Sequence, residues 1–388
     1  MSSSLISRSP DLGRLLADGY EVEVRGAYLL VHHVPFVNTT RQVKFGTLAS
    51  DLTLSGEETT TPGDHVVMFS DTPCDAQGKI MNMIIADDNV SAVPGGPAMK
   101  HRFSHKPAAA YPNYYEKMTA YINILTSQAQ ALDPTVTART FEVSVEEDES
   151  SPFEYRDTAS TRAGIATITE KLAIGPVAII GLGGTGSYLL DFVAKTPVAA
   201  IHLFDGDILG QHNAFRSPGA PSVEELRARE QKSSYFAKLY GRMKRNVHAH
   251  GYLDEANVEL LRQMQFVFIA IDSGTARRLA VEKLTEFGIP FIDVGMGIFE
   301  VDGKLSGVLR VIESTEDCAA LRARLPFSNG DGNDDYSRNI QIAELNALNA
   351  ALAVIRWKKS LGFYLDAEGE HSIFFEIDGN NLINEDHR

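Results

Sequence analysis

Apolar positions along the chain keep two different rhythms. Up to residue 141 they form short runs. Residues 20–24 alternate apolar and charged positions, 27–31 are solidly apolar, and 43–54, 65–69 and 80–86 extend the series. Clusters of Gly, Pro, Asp and Thr separate these runs, the pattern of strands joined by turns. A short helix is predicted over 12–16. A longer one follows Tyr111, with Tyr115, Met118, Ile122 and Leu125 on one stripe at helical spacing. Residues 1–141 thus read as a β-rich α+β domain. Residues 142–157 open with an acidic, serine-containing stretch closed by Pro152, and read as a solvated linker.

From residue 158 the rhythm changes to strands alternating with helices. A helix is predicted over 158–172, buried apolar strands over 177–180 and 266–271, and further strands over 198–204 and 290–294. Helices are predicted over 188–195, 274–287 and 340–358, and another runs from Ser222 to about Lys244. That one opens with a Ser222-x-x-Glu225 capping box. Residues 247–252 form a short strand, and Asp254 caps a helix reaching residue 264. Residues 298–301 and 305–312 make a hairpin around Asp302-Gly303, and 372–377 is a last strand. The fold class is therefore α/β: a Rossmann-like, doubly wound, mostly parallel sheet over 158–388, preceded by the β-rich domain.

Composition narrows the function classes. No apolar run approaches the roughly 20 residues a membrane span needs, and the first residues lack a signal-peptide core, so a cytoplasmic protein is expected. Two cysteines, Cys74 and Cys318, are too few for a disulfide framework or a four-cysteine zinc site. A formal charge of −15 disfavours a general nucleic-acid binder. His32 and His33 are neighbours on a strand, face opposite ways, and cannot easily share a metal. Cys74 reads as an ordinary cysteine, and Arg277-Arg278 and Lys244-Arg245 as solvated helix faces.

The candidate chemistry begins where the strand 177–180 turns into a helix. Gly181, Gly183 and Gly186 fit Gly-x-Gly-x-x-Gly, with Gly184 between them. This spacing serves a tight turn, a close approach to phosphate and a helix N-terminus aimed at an anion. Asp205 ends the next strand, 19 residues after Gly186, where a dinucleotide fold holds a ribose hydroxyl. NAD and ATP both satisfy that much. Asp207, Asn213, Arg216, Lys232 and Asp272 then add cations and further carboxylates at or near strand ends. A hydride-transfer site has little use for them. A site where a carboxylate attacks the α-phosphate of ATP needs cations for the developing charge and a carboxylate for Mg²⁺.

These residues resemble the E1-like adenylating family, which includes ubiquitin-activating enzymes and the bacterial activators of sulfur carriers (the ThiF and MoeB type). The resemblance implies that ATP·Mg adenylates the C-terminal glycine carboxylate of a ubiquitin-like or sulfur-carrier protein. It implies Asp205 on the ribose, Asn213, Arg216 and Lys232 on phosphates, Asp272 on the metal, and a homodimer of such domains. An E2-like conjugating protein is an expected further partner. Three departures stand out. Asn213-Ala-Phe-Arg216-Ser217 replaces the usual Asn-Leu-x-Arg-Gln, the zinc-binding Cys-x-x-Cys pairs are absent, and the N-terminal Arg-Tyr-x-Arg-Gln signature is missing. Arg156 or Arg162 is the candidate for an arginine reaching a partner's site. Cys318 is the candidate thioester cysteine, although Glu316 and Asp317 beside it would blunt its nucleophilicity. An NAD-dependent oxidoreductase, a non-catalytic scaffold with an E1-like fold and an adenylating enzyme acting on a tRNA base or peptide are the alternatives. The first leaves Asn213, Arg216 and Lys232 unemployed, and the second predicts a damaged nucleotide site.

Overall fold

A computed structural model describes residues 5–6, 8–56, 58–143, 150–315, 322, 324–327 and 340–384. The chain divides into two compact units. One takes the chain up to residue 148 together with Tyr155–Thr167, and the other takes Glu149–Glu154 and Ile168–Arg388. Among the described residues, no helix is long and apolar enough to cross a membrane.

The first unit begins with helix α1 (Pro10–Ala17) and the strands β1 (Val22–Arg25), β2 (Tyr28–Val37) and β3 (Val43–Asp51). A two-stranded ribbon, β4 (Leu54–Ser55) with β5 (Glu58–Thr59), precedes β6 (Val66–Phe69), β7 (Ile85–Asp87) and β8 (His101–Ser104). The sheet order is β1-β2-β3-β6-β8-β7, with every neighbouring pair antiparallel. Helix α2 (Tyr114–Gln130) starts at Asn113, whose Oδ1 accepts the Glu116 N–H at 2.9 Å. Its expected stripe of Tyr115, Met118, Ile122 and Leu125 is buried in one core with Phe36, Phe69 and Phe103. His32 and His33 straddle a bulge between Val31 and Val34, where His33 takes a left-handed φ of 58°. The expected strand over 80–86 shrinks to β7.

α3 (Thr158–Arg162), which belongs to the first unit, is followed along the chain by α4 (Ala166–Thr169) and a 3₁₀ turn at Glu170–Leu172. The single helix expected over 158–172 is interrupted because Gly164 turns left-handed, at φ +67°.

In the second unit β9 (Val177–Ile180) is buried along its whole length. It lies between β10 (Ile201–Phe204), flanked by β11 (Val247–His250), and β12 (Phe266–Ile269). The strands β13 (Phe291–Val301), β14 (Lys304–Ser314), β15 (Ser372–Glu376) and β16 (Asn381–Asn384) complete an eight-stranded sheet, ordered β11-β10-β9-β12-β13-β14-β15-β16. Pairing is parallel from β11 to β13 and antiparallel beyond. The chain leaves β9 toward β10 and later returns to its other side as β12. This reversal makes a switch point at the carboxyl ends of those strands, where open α/β sheets bind ligands. The expected strand 290–294 and the first arm of the hairpin are one strand, β13.

The second unit's helices are α5 (Gly184–Ala194), α6 (Gln211–Ala214), α7 (Val223–Arg227), α8 (Lys232–Tyr240), α9 (Gly274–Phe287) and α10 (Ala343–Ser360). α5, α8 and α10 cover one face of the sheet and α9 the other. The Ser222–Glu225 capping box forms as expected. The helix it opens stops at Ala228, because Arg229 adopts φ 50°, and Lys232 begins a new helix. Lys244 is not on a solvated face. It is fully buried, and its ammonium donates to the carbonyls of Thr196 (2.7 Å) and Val198 (2.6 Å), just past α5. Burial pushes its pKa down to about 7.

Candidate active site

A cleft of about 1090 Å³ opens at the switch point, between the carboxyl ends of β9, β10 and β12 and the inner part of the β13–β14 hairpin. Its floor is the glycine loop. Gly181 has φ +91°, and a Cβ there would strike the backbone of Ala270. A Cβ on Gly186 would strike the Gly181 carbonyl, and one on Gly184 the carboxamide of Asn346. These three glycines are required by close packing of loop, β12 and α10. Gly183 differs: a Cβ there would find only Gln341 Oε1, at 3.9 Å. It occupies the N-cap of α5, at the cleft, without a side-chain cap of its own, and the next N–H, of Gly184, donates to Gln341 Oε1 at 3.3 Å.

Asn346 explains how α10 holds this loop. It is fully buried; its Nδ2 donates to the Arg216 carbonyl at 3.3 Å, and its Oδ1 accepts the Thr185 hydroxyl at 3.0 Å. Asn349, also buried, donates to the Gly295 carbonyl at 3.0 Å. The two asparagines that break the apolar surface of this helix thus tie three segments of the cleft together.

The acidic wall begins with Asp205, buried at the end of β10. Its Oδ2 accepts the Leu182 N–H at 2.7 Å and its Oδ1 the Asp207 N–H at 2.9 Å. Burial pushes its pKa up, against the opposing pull of Lys232 and those two N–H groups. Lys232, 5% exposed, places Nζ 2.7 Å from Asp207 Oδ2 and 3.9 Å from Asp205 Oδ2. Asp207 also accepts a hydrogen bond from the Tyr252 hydroxyl, and its two donors, Lys232 first, hold its pKa low. Arg216 lines the same cleft with its Nε buried and unpartnered. Asp272 stands exposed at the end of the segment after β12.

Further in, Asp293 on β13 is completely buried between two guanidiniums. Arg277 Nε reaches its Oδ2 at 2.9 Å and Arg310 its Oδ1 at 2.5 Å. Burial pushes the Asp293 carboxyl up while both arginines pull it down. Arg277 is therefore no solvated helix residue. It is 6% exposed and also donates to the carbonyls of Ile271 and Pro326.

The structure brings Gly181, Gly183, Gly184, Asp205, Asp207, Arg216, Lys232 and Asp272 to one cleft. Gly186 packs beneath the loop. Asn213 is not among the cleft-lining residues; it is 97% buried, with Oδ1 accepting the Gly210 N–H at 2.8 Å at the start of α6 and Nδ2 unpartnered. Its place is under the Arg216 loop, because a short helix needs that cap. Asp207 is engaged as the counter-ion of Lys232. Arg156 and Arg162 group with the first unit, Arg162 exposed at the end of α3. Cys318 lies outside the described residues. Sequence reasoning missed Tyr252, Arg310 and Gln341 as cleft residues. Only pairing of β10 with β11 and of β13 with β14 brings the first two there.

Comparison with known protein families decides the identity of the second unit. A model described as the ThiF family matches residues 156–367, over half of the chain. The chain belongs to the ThiF family. This is the E1-like adenylating family that the glycine loop and its carboxylates resemble. The ThiF match carries every residue placed in the cleft except Phe374 of β15. A domain of unknown function, DUF6791, matches residues 10–158. No curated protein matches the sequence. Among solved structures, the microcin C7 biosynthetic enzyme MccB in complex with N-formylated MccA is 16% identical. The match covers 59% of this chain and 70% of MccB, with a TM-score of 0.46. PaaA is 18% identical over 70% of this chain and 92% of its own, with a TM-score of 0.46. E. coli MccB with ATP is 16% identical over 57% and 66%, with a TM-score of 0.41.

Proposed function

We propose that the second unit binds ATP·Mg²⁺ in this cleft and adenylates the C-terminal glycine carboxylate of a ubiquitin-like or sulfur-carrier protein, releasing pyrophosphate. The observation that carries this reading is the meeting of Asp205, Arg216, Lys232 and Asp272 around the N-terminus of α5. Asp205 is held by two backbone N–H groups, yet a carboxylate has about four lone-pair sites, so it can still accept ribose hydroxyls. The start of α5 and the open face of Gly183 take phosphate oxygens. The unpartnered Nε of Arg216 is a donor waiting for an acceptor.

The reaction joins a carboxylate oxygen to the α-phosphorus and breaks the bond from that phosphorus to the bridging oxygen. Both electrons of that bond leave with pyrophosphate. The nucleophile is already ionised, so no general base is required. Lys232 and Arg216 stabilise the charge that grows on the phosphates, by positioning and electrostatics. Among the described residues no three His, Cys, Asp or Glu side chains gather as a cation cage. The exposed carboxylate of Asp272 would hold a divalent ion brought in with the nucleotide. Mg²⁺ bound there would supply neutralisation of phosphate charge. The incoming C-terminus follows the cleft along Met296, Ile298, Val308 and Phe374, an apolar stretch that leads to the polar end. The product is a mixed anhydride that a thiol can open, and Cys318 is the candidate within this chain. An oxidoreductase reading gives Arg216 and Lys232 nothing to do.

The test is ATP–pyrophosphate exchange with ubiquitin-like proteins ending in glycine. Arg216→Ala, Lys232→Ala and Asp272→Ala should each lower exchange by about 100-fold or more, with folding checked by circular dichroism. Full exchange in all three variants would discard this assignment of the site.

A further inference from the structure

The first unit holds a group of side chains that the adenylation reading does not use. β8 lies between β6 and β7 and runs antiparallel to both, so the ends of β6 and β7 meet the beginning of β8. His101 is the first residue of β8. Thr72 follows the end of β6 and Asp88 follows the end of β7. Thr72 Oγ1 lies 2.7 Å from His101 Nε2, and His101 Nδ1 lies 2.5 Å from Asp88 Oδ1. An ionised carboxylate only accepts hydrogen bonds, so Nδ1 carries the ring proton of the neutral histidine. Nε2 then presents its lone pair to the threonine hydroxyl. A hydroxyl nucleophile, an imidazole base and a carboxylate that fixes the tautomer stand in the order that activates a nucleophile.

The surroundings hold this order in place. The Thr72 N–H donates to Asp71 Oδ1 at 2.8 Å, and the Cys74 N–H pins the loop to the Val37 carbonyl of β2 at 2.7 Å. The imidazole is well packed, with 12% of its side chain exposed, while the Asp88 side chain is 75% exposed. Thr72 itself is partly exposed.

We propose that Thr72 is an acyl acceptor, taking an acyl group from an activated ester or mixed anhydride to form an oxyester. Oγ1 attacks the acyl carbonyl while its proton passes to His101 Nε2. The bond from the carbonyl carbon to the leaving oxygen breaks, and its electron pair departs with the leaving group. Asp88 holds the imidazolium that results. This site stands independently of the adenylation site, because the activated donor can be supplied ready-made.

The experiment treats the full chain with p-nitrophenyl acetate and maps acetylated peptides by mass spectrometry. The expected result is a hydroxylamine-labile acetyl ester on Thr72. His101→Gln should slow it by about 100-fold or more. Asp88→Asn should slow it by disturbing the tautomer, Thr72→Ser should keep it, and Thr72→Val should abolish it. Asp272→Ala should acylate at the unaltered rate, which separates this site from the adenylation cleft. Melting curves check each fold; if His101→Gln melts early, Asp88→Asn, changed at a largely exposed carboxylate, decides. Acetylation of Thr72 no faster than of the exposed Thr40, or an equal rate in a folded His101→Gln or Asp88→Asn chain, would overturn the proposal.

Discussion

Replacing Lys244 by methionine should remove a distinct pH dependence from the stability of the second unit. In the native fold the ammonium is buried against two carbonyl oxygens, and burial draws its pKa from 10.5 to about 7. In the unfolded chain it titrates at its ordinary value. Between these values the unfolded chain holds a proton that the folded chain has released. Stability therefore rises with pH across this window, by up to about 1.4 kcal/mol for each pH unit and roughly 5 kcal/mol in all. The bonds survive the loss of the proton, since a neutral amine keeps two N–H groups, one for each carbonyl. The single tryptophan of the chain makes the measurement local. Trp357 is buried in the second unit, with its ring 6.1 Å from Phe266 and 5.7 Å from Phe268. Urea unfolding followed by its fluorescence should show the wild type gaining on Lys244→Met by about 3 kcal/mol between about pH 7 and 9.5. At the slopes usual for urea this is a midpoint change of about 1 M or more. A stability difference that stays flat over that range would refute a depressed lysine.

Two further substitutions probe the architecture of the cleft. Asp293→Asn strands Arg277 and Arg310 without their shared counter-ion, and should cost roughly 3–5 kcal/mol in thermal or urea unfolding. Gly184→Ala drives a methyl into the Asn346 carboxamide and should lower the melting temperature and weaken ATP binding by calorimetry, whereas Gly183→Ala, whose methyl meets only Gln341 Oε1 at 3.9 Å, should melt normally.

The second unit was largely legible in the chain because its chemistry lies on local turns. The Gly181–Gly186 loop, Asp205 and the Ser222 cap are each fixed by a few neighbouring residues, so spacing alone locates them. Lys232 was legible as a residue but not as the start of a helix. The break at Arg229 is a backbone choice that the helical periodicity runs through. Asn213 was legible by type and spacing, but not that the start of α6 engages its oxygen while its Nδ2 stays unpartnered.

Charge was the least legible property. Lys244 and Arg277 look like surface residues in sequence, and each is almost fully buried, as is Lys117 on α2. Their partners lie far along the chain: Thr196 and Val198 for Lys244, Asp293 for Arg277, Asp64 for Lys117. No periodicity announces such a pair, because sequence patterns record which side of an element is apolar, not which carboxylate or carbonyl arrives opposite.

By itself the sequence determined the class of fold, the nucleotide loop and the carboxylate that closes β10, since these depend on turn chemistry and the period of apolar residues. Tertiary structure decided the rest. Sheet order set Tyr252 against Asp207 and Arg310 against Asp293, and brought Thr72, His101 and Asp88 to one end of the first sheet. Such meetings are set by strand pairing between distant segments, and hydrogen-bond register fixes them where local propensity cannot.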